Sequence, residues 1–164
     1  MNIFYTDPCP VTSAQSLCDK HVVKMPLESA QMLCTAWRTK SHGDIWCDSK
    51  GLYKSVHLNH PSTKWARSNA KQYKWLFNHF VALCVEYTYR YGKIHKSFEL
   101  ASRLSVVPDR IINGTFTEPP MCMPDEYKSG NTITSYRNYI HGEKSYFAKW
   151  SKRQPPSWYV ERGL

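Results

Sequence analysis

Trp65-Ala66-Arg67-Ser68-Asn69-Ala70-Lys71-Gln72-Tyr73 opens the stretch that decides the fold. It continues through Leu76, Phe80, Leu83, Tyr87 and Tyr91 to Gly92, with steps of three and four throughout. That period belongs to a helix buried along one stripe, and a glycine just past the last repeat is a usual helix stop. A long amphipathic helix is therefore expected here, its aromatics packed in a core rather than offered to a ligand. Just upstream, Asn59-His60-Pro61-Ser62 reads as its start, since a proline in the first turn gives up no helical hydrogen bond.

Outward from this helix the chain stays helical. Met1 to Thr6 reads as a short strand or extended segment, and Asp7-Pro8-Cys9-Pro10 breaks regular structure. Thr12 and Gln15 have capping-box spacing, so a first helix is expected from about residue 12 to 39, bent at Pro26. Residues 40–58 read as an ordered loop and His95 to Leu104 as a shorter helix. Pro108, Asn113-Gly114 and Pro119-Pro120 mark a long turn-rich connection. Pro124 to Lys128 fits one helical turn. Thr132, Tyr136, Tyr139, Ile140, Phe147 and Trp150 indicate a last helix bent near Gly142, and an irregular aromatic tail follows. The expectation is an all-α, compact single domain over residues 1–164, with three to five helices, a long central amphipathic helix and long ordered loops.

Composition narrows the function. The 164 residues carry a formal charge of +9, which favours a polyanionic partner, and nucleic acid is the commonest. No apolar run approaches the roughly 20 residues that span a bilayer, and no secretion signal opens the chain. The six scattered cysteines read as free thiols in a reducing compartment. Between Lys64 and Lys96 the charged residues are Lys64, Arg67, Lys71, Lys74, Arg90, Lys93 and Lys96, opposed by Glu86 alone. The first four share one helical face and read as a phosphate track; Arg90, Lys93, His95 and Lys96 form a second patch. Arg137, Lys144, Lys149, Lys152 and Arg153 are basic again.

Near the N-terminus, helical spacing gathers His21, Lys24, Glu28 and Gln31 on one polar face, away from Val22, Met25, Ser29, Met32 and Ala36. Acid, imidazole and ammonium on one side of a bent helix read as a pocket wall. Other chemistries lack their signatures. There is no close cysteine pair and no His-Glu-x-x-His, so no metal is expected. The nucleobase-deaminase zinc pattern, a Gly-rich phosphate loop and a nucleophile elbow are also missing.

Taken as an ordered set, these residues resemble a known family. A start at Asn2-Ile3, then Asp19-Lys20-His21 with Glu28 seven residues beyond the histidine, then Tyr89-Arg90-Tyr91-Gly92-Lys93 closing the long helix, and finally Lys152-Arg153-Gln154-Pro155-Pro156-Ser157-Trp158-Tyr159, are similar to the small helical pyrimidine-dimer DNA glycosylases with abasic-site lyase activity of large tailed phages. The chain also resembles an uncharacterised tailed-phage protein family of similar size. The first resemblance implies attack of an N-terminal α-amine on C1′ of the target nucleotide, assisted by a glutamate. Here the amine would be that of Met1, or of Asn2 where Met1 is removed, and the glutamate would be Glu28. His21 would line the DNA-facing side, with Lys24 a phosphate contact and Lys152, Arg153, Trp158 and Tyr159 part of the DNA surface. An α-amine with a reference pKa near 7.7–8.0 keeps a nucleophilic fraction at neutral pH. The expected partner is double-stranded DNA, met by a monomer without cofactor in the cytoplasm of an infected host cell. Two other functions fit the same residues: a non-enzymatic DNA-binding protein, and a nucleobase- or nucleotide-modifying enzyme.

Overall fold

The computed structural model describes residues 1–160, and among them there are eight α-helices, three short 3-10 turns and no strand. The all-α expectation holds, but the helix count exceeds three to five. The helices are α1 Pro10–Ser16, α2 Asp19–Lys40, α3 Gly43–Ser49, α4 Pro61–Ala66, α5 Ala70–Tyr91, α6 Ala101–Leu104, α7 Thr132–Glu143 and α8 Ser157–Val160. The 3-10 turns are Lys96–Leu100, Asp125–Tyr127 and Ser145–Phe147.

Helix α5 is the spine. Tyr73, Leu76, Phe80 and Leu83 are wholly buried along its inner face, where α1 and α2 pack. Gly92 ends it with φ +64, a left-handed conformation that costs glycine nothing, and its N–H reaches Thr88 O at 2.8 Å. Its beginning differs from the sequence expectation. Asn69 is a cap whose side chain accepts from the N–H groups of Lys71 and Gln72, so α4 and α5 are separate helices. A period of four carried by an asparagine had hidden that break.

The first helix is also divided, at Leu17–Cys18 rather than at Pro26. Leu17 is extended, with ψ 144, while α2 runs unbroken through Pro26. Thr12 lies inside α1 instead of capping it. Residues 40–58, expected to be loop, contain α3. Its anchor is the buried Arg38, which donates to the carboxylates of Asp44 and Asp48 and to the carbonyls of Leu52 and Tyr53. The expected helix after His95 is a 3-10 turn running into α6, and the last long helix stops at Glu143 before a further 3-10 turn.

The N-terminal segment is extended without a strand partner. Ile3, Phe4 and Tyr5 are buried in the core. Its polar groups are therefore satisfied one by one. Thr6 bonds to Ser13 and Ser16, the Trp75 indole donates to Pro8 O at 2.8 Å, and His79 Nδ1 lies 3.0 Å from Pro10 O. These contacts fasten the chain's start to α1 and α5 and fix where Met1 lies. Among the described residues no helix is long and apolar enough to cross a membrane.

Candidate active site

Helix α2 turns its buried side, Val22, Met25, Met32, Leu33 and Ala36, into the core. His21, Lys24 and Glu28 then face the folded-back N-terminus. The Met1 amine lies 4.0 Å from Glu28 Oε2, and the Asn2 N–H donates to the same oxygen at 3.1 Å. The other oxygen pairs with Lys24 Nζ at 3.1 Å. Glu28 is 13% exposed, so its carboxylate is partly desolvated yet reachable. These groups line a cavity of about 480 Å³ together with Lys20 and Lys144. Three lysines and a terminal amine against one carboxylate give the cavity lining a net positive charge.

Asn2 is held from three sides. Its Nδ2 donates to Cys122 O at 2.8 Å, and its Oδ1 accepts from Ile3 N–H at 2.9 Å and faces the buried Tyr136 hydroxyl at 2.6 Å. That hydroxyl also lies 2.7 Å from Pro120 O, so its single proton serves one acceptor at a time. Phe4 has φ +54, an unfavourable conformation for a non-glycine residue, and burial of its ring compensates. The ring stacks on His21 with centroids 4.1 Å apart and runs nearly parallel to Tyr139 at 6.2 Å. Phe147 closes the other side of His21, edge-on at 5.7 Å.

His21 is 6% exposed, and its Nδ1 is buried without a hydrogen-bond partner. Burial, then the charges of Lys144 and Lys24, push its pKa down to about 4, so the ring is neutral at pH 7. His60, which caps α4 by accepting from Ser62 N–H, feels the same cluster. Burial lowers its pKa most, followed by the N-terminal charge and His57, against the opposing pull of Glu28.

Met1, His21, Lys24 and Glu28 are thus brought together around one cavity. The remaining DNA-contact candidates lie outside this cavity. Lys64, Lys71 and Lys74 are exposed, but the break at Asn69 puts Lys64 on α4 and the other two on α5. They do not form one helical track. Arg67 donates to the carbonyls of Leu58 and Thr63. Lys93 and Lys96 are exposed beyond α5, while His95 accepts from Ser97 N–H and uses its other nitrogen on Val23 O. Arg90 is a correction, because its guanidinium is buried and engages Asp19, Glu86 and Gln15 O. Arg153 is likewise taken up by Glu86 through Nε and Nη2. Lys152 is exposed, with φ +58, and its carbonyl accepts from the Tyr89 hydroxyl. Trp158 lies under the Arg137 guanidinium, and Tyr159 packs on Trp150 and His141.

Asp19 of the Asp-x-His sequence also turns out to tie the fold together. Its carboxylate accepts from Ser151 N–H and Oγ and from Arg90 Nη1. Burial raises its pKa, but those hydrogen bonds outweigh burial and hold it below the usual carboxylate range. Sequence reasoning missed Phe4, Lys20, Tyr139, Lys144 and Phe147 as cavity residues. Tyr139 and Phe147 carried a periodic signal and Lys144 a charge signal, yet nothing local said that they would face α2. Among the described residues no group of three His, Cys, Asp or Glu is gathered as a metal would need, and all six cysteines are free.

Compared with known proteins, residues 1–100 match the family model described as pyrimidine dimer DNA glycosylase. No curated protein and no solved structure matches the chain. The matched span contains α2, α5 and the N-terminal segment, but ends before Tyr139, Lys144 and Phe147.

Proposed function

This chain belongs to the pyrimidine dimer DNA glycosylase family, and on that premise we propose that it is a DNA glycosylase with abasic-site lyase activity, acting on damaged or modified DNA through its N-terminal amine. One observation carries the reading: the Met1 amine lies 4.0 Å from Glu28 in a lysine-lined cavity. The neutral amine adds to C1′ of the target nucleotide as the N-glycosidic bond breaks, and the departing base takes up a proton. The adduct nitrogen gives up one proton, and its lone pair then expels the ring oxygen, which takes up a proton as the sugar opens, leaving an iminium that keeps the last N–H. Removal of a C2′ proton then expels the 3′ phosphate by β-elimination, and water hydrolyses the imine to free the amine.

Glu28 suits the proton steps because its carboxylate is near the amine and partly buried, where it also stabilises the cationic sugar and iminium. Lys20, Lys24 and Lys144 draw in the phosphate backbone. With Met1 in place the Asn2 nitrogen is an amide and no nucleophile. Removal of Met1 would instead turn that nitrogen, 3.1 Å from Glu28, into the reactive amine.

Borohydride trapping tests the reading. Protein with a verified free N-terminus, incubated with duplex DNA holding an abasic site or ultraviolet damage, is expected to yield a covalent adduct. Peptide mapping should put that adduct on the N-terminal residue and not on Lys24. Salt-sensitive binding without any adduct would overturn the proposal in favour of a non-enzymatic DNA-binding protein.

A further inference from the structure

Chain termini are poorly ordered unless tied down, and a nucleophile works only when it is held in place. Glu28 alone is a poor hold. Its Oε2 meets the Asn2 N–H at 3.1 Å and the Met1 amine at 4.0 Å, but a carboxylate that exchanges protons loses part of its grip each time it is neutralised. We propose that Tyr136 is a positioning residue for the amine, its buried hydroxyl latching the Asn2 side chain so that the amine stays beside Glu28 through the reaction. The inference rests on the glycosylase reading above.

Tyr136 lies on α7, is wholly buried, and stands beyond the residues that match the family model. Its oxygen is 2.6 Å from Asn2 Oδ1 and accepts from Cys122 N–H at 3.3 Å. Pro120 O, 2.7 Å from the same hydroxyl, has a second donor in Cys122 N–H at 3.0 Å, so the hydroxyl proton is available to Asn2. Cys122 O takes the other end of the carboxamide, Asn2 Nδ2, at 2.8 Å. Both polar ends of the side chain next to the amine are therefore held by residues 120 and 134 positions away. Burial pushes the Tyr136 pKa up, so the hydroxyl keeps its proton at neutral pH. These bonds join neutral groups, and protonation of Glu28 leaves them intact.

The tyrosine ring adds a second hold. It stands edge-on to Phe4, with centroids 5.9 Å apart. Phe4 keeps a left-handed φ of +54, a conformation that its surroundings must enforce, and it stacks in turn on His21 of α2. Tyr136 thus grips the N-terminal strip on both sides of Ile3, at Asn2 through its oxygen and at Phe4 through its ring. Farther along, Thr6 is tied to Ser13 and Ser16, bonds that fix the base of the strip but not its tip.

Two measurements on the full chain, its N-terminus verified by mass, test the latch. The first needs no DNA: acetylation of the N-terminal amine by a trace of activated ester, followed by peptide mapping. Tyr136→Phe is expected to free the amine and label it several times faster than wild type, with lysine labelling unchanged. The second is the rate of borohydride trapping on duplex DNA holding an abasic site. At saturating DNA, Tyr136→Phe should trap roughly tenfold to a hundredfold more slowly, the scale of a misplaced nucleophile, while the half-saturating DNA concentration changes less than about twofold. Asn2→Leu loses the same bonds and should be slowed alike, and the double variant should be no slower than either single one. Asn131→Ala removes the cap that Asn131 gives α7, without touching the N-terminal strip, and should leave both rates at the wild-type level. Unchanged labelling or trapping in Tyr136→Phe, or an equal change in Asn131→Ala, would overturn the latch alone where wild type still forms the adduct. A wild type that forms no adduct would overturn the glycosylase reading and the latch with it.

Discussion

Glu28 on α2 and Glu86 on α5 are the same residue type on the two long helices, each surrounded by cations. Their surroundings differ. Glu86 is 2% exposed, with Arg90 on one oxygen and Arg153 across both, and Arg90 itself continues to Asp19. Two rigid guanidinium groups saturate the carboxylate and tie the C-terminal segment to α5. Glu28 meets a 69% exposed lysine, a peptide N–H and an amine, and it opens into a cavity. Glu86 borders only an outer groove built largely of apolar side chains such as Val11, Phe77 and Val81. A carboxylate already matched by fixed arginines stabilises the fold. One left beside mobile amines can exchange protons.

The comparison breaks most sharply at Glu28→Gln. General acid–base contributions run to about a hundredfold to ten-thousandfold, so adduct formation and strand cleavage should fall by that much. Duplex affinity and the denaturation midpoint should stay near wild type. Unchanged cleavage would remove Glu28 from the chemistry. Glu86→Ala should do the reverse. It strips one of two carboxylate partners from the buried Arg90 and the only one bound by Arg153 among the described residues, at a cost of roughly 3–5 kcal/mol in urea unfolding, while adduct yield per folded molecule is preserved. A loss of chemistry without a loss of stability would show that the two roles had been exchanged.

Acid sharpens the contrast more gently, through two histidines that neither glutamate pairs. Burial brings both His21 and His79 down to about 4. The unfolded chain, with histidines near 6.5, therefore binds their protons first. Their contribution is held above pH 6.5 and drains away as pH falls towards 4, on the order of 3 kcal/mol per histidine at full titration. Urea midpoints measured between pH 7.5 and 4.5 should decline chiefly below 6.5. A flat profile would refute neutral, buried rings at both positions.

Much of the site was legible one helix at a time. His21, Lys24 and Glu28 share a face because helical spacing is local, whereas the N-terminal amine as the glutamate's partner was implied only by the family resemblance. The charge patches were less legible. Lys71, Arg90 and Arg153 look alike in sequence, yet Lys71 is exposed while Arg90 and Arg153 are bound to Glu86. Glu86 is one helical turn from Arg90, but the Asp19 that completes the burial of Arg90 lies 71 positions away and Arg153 reaches Glu86 across 67. Asn69 misled for a related reason, since its spacing fits the stripe while its side chain caps the next helix.

What the sequence determined by itself is what short-range periodicity and capping encode: an all-helical chain, a spine whose apolar stripe stops at Gly92, and an acid–base face on α2. Tertiary structure alone decided that Met1 folds back to within 4.0 Å of Glu28. It likewise decided that Phe147 and Lys144 close the cavity and that Asp19 and Arg90 serve as ties. Those pairings join segments that no local rule connects. The first goes with the burial of Ile3, Phe4 and Tyr5, which anchors the N-terminal strip in the core and leaves the terminal amine beside Glu28 on α2.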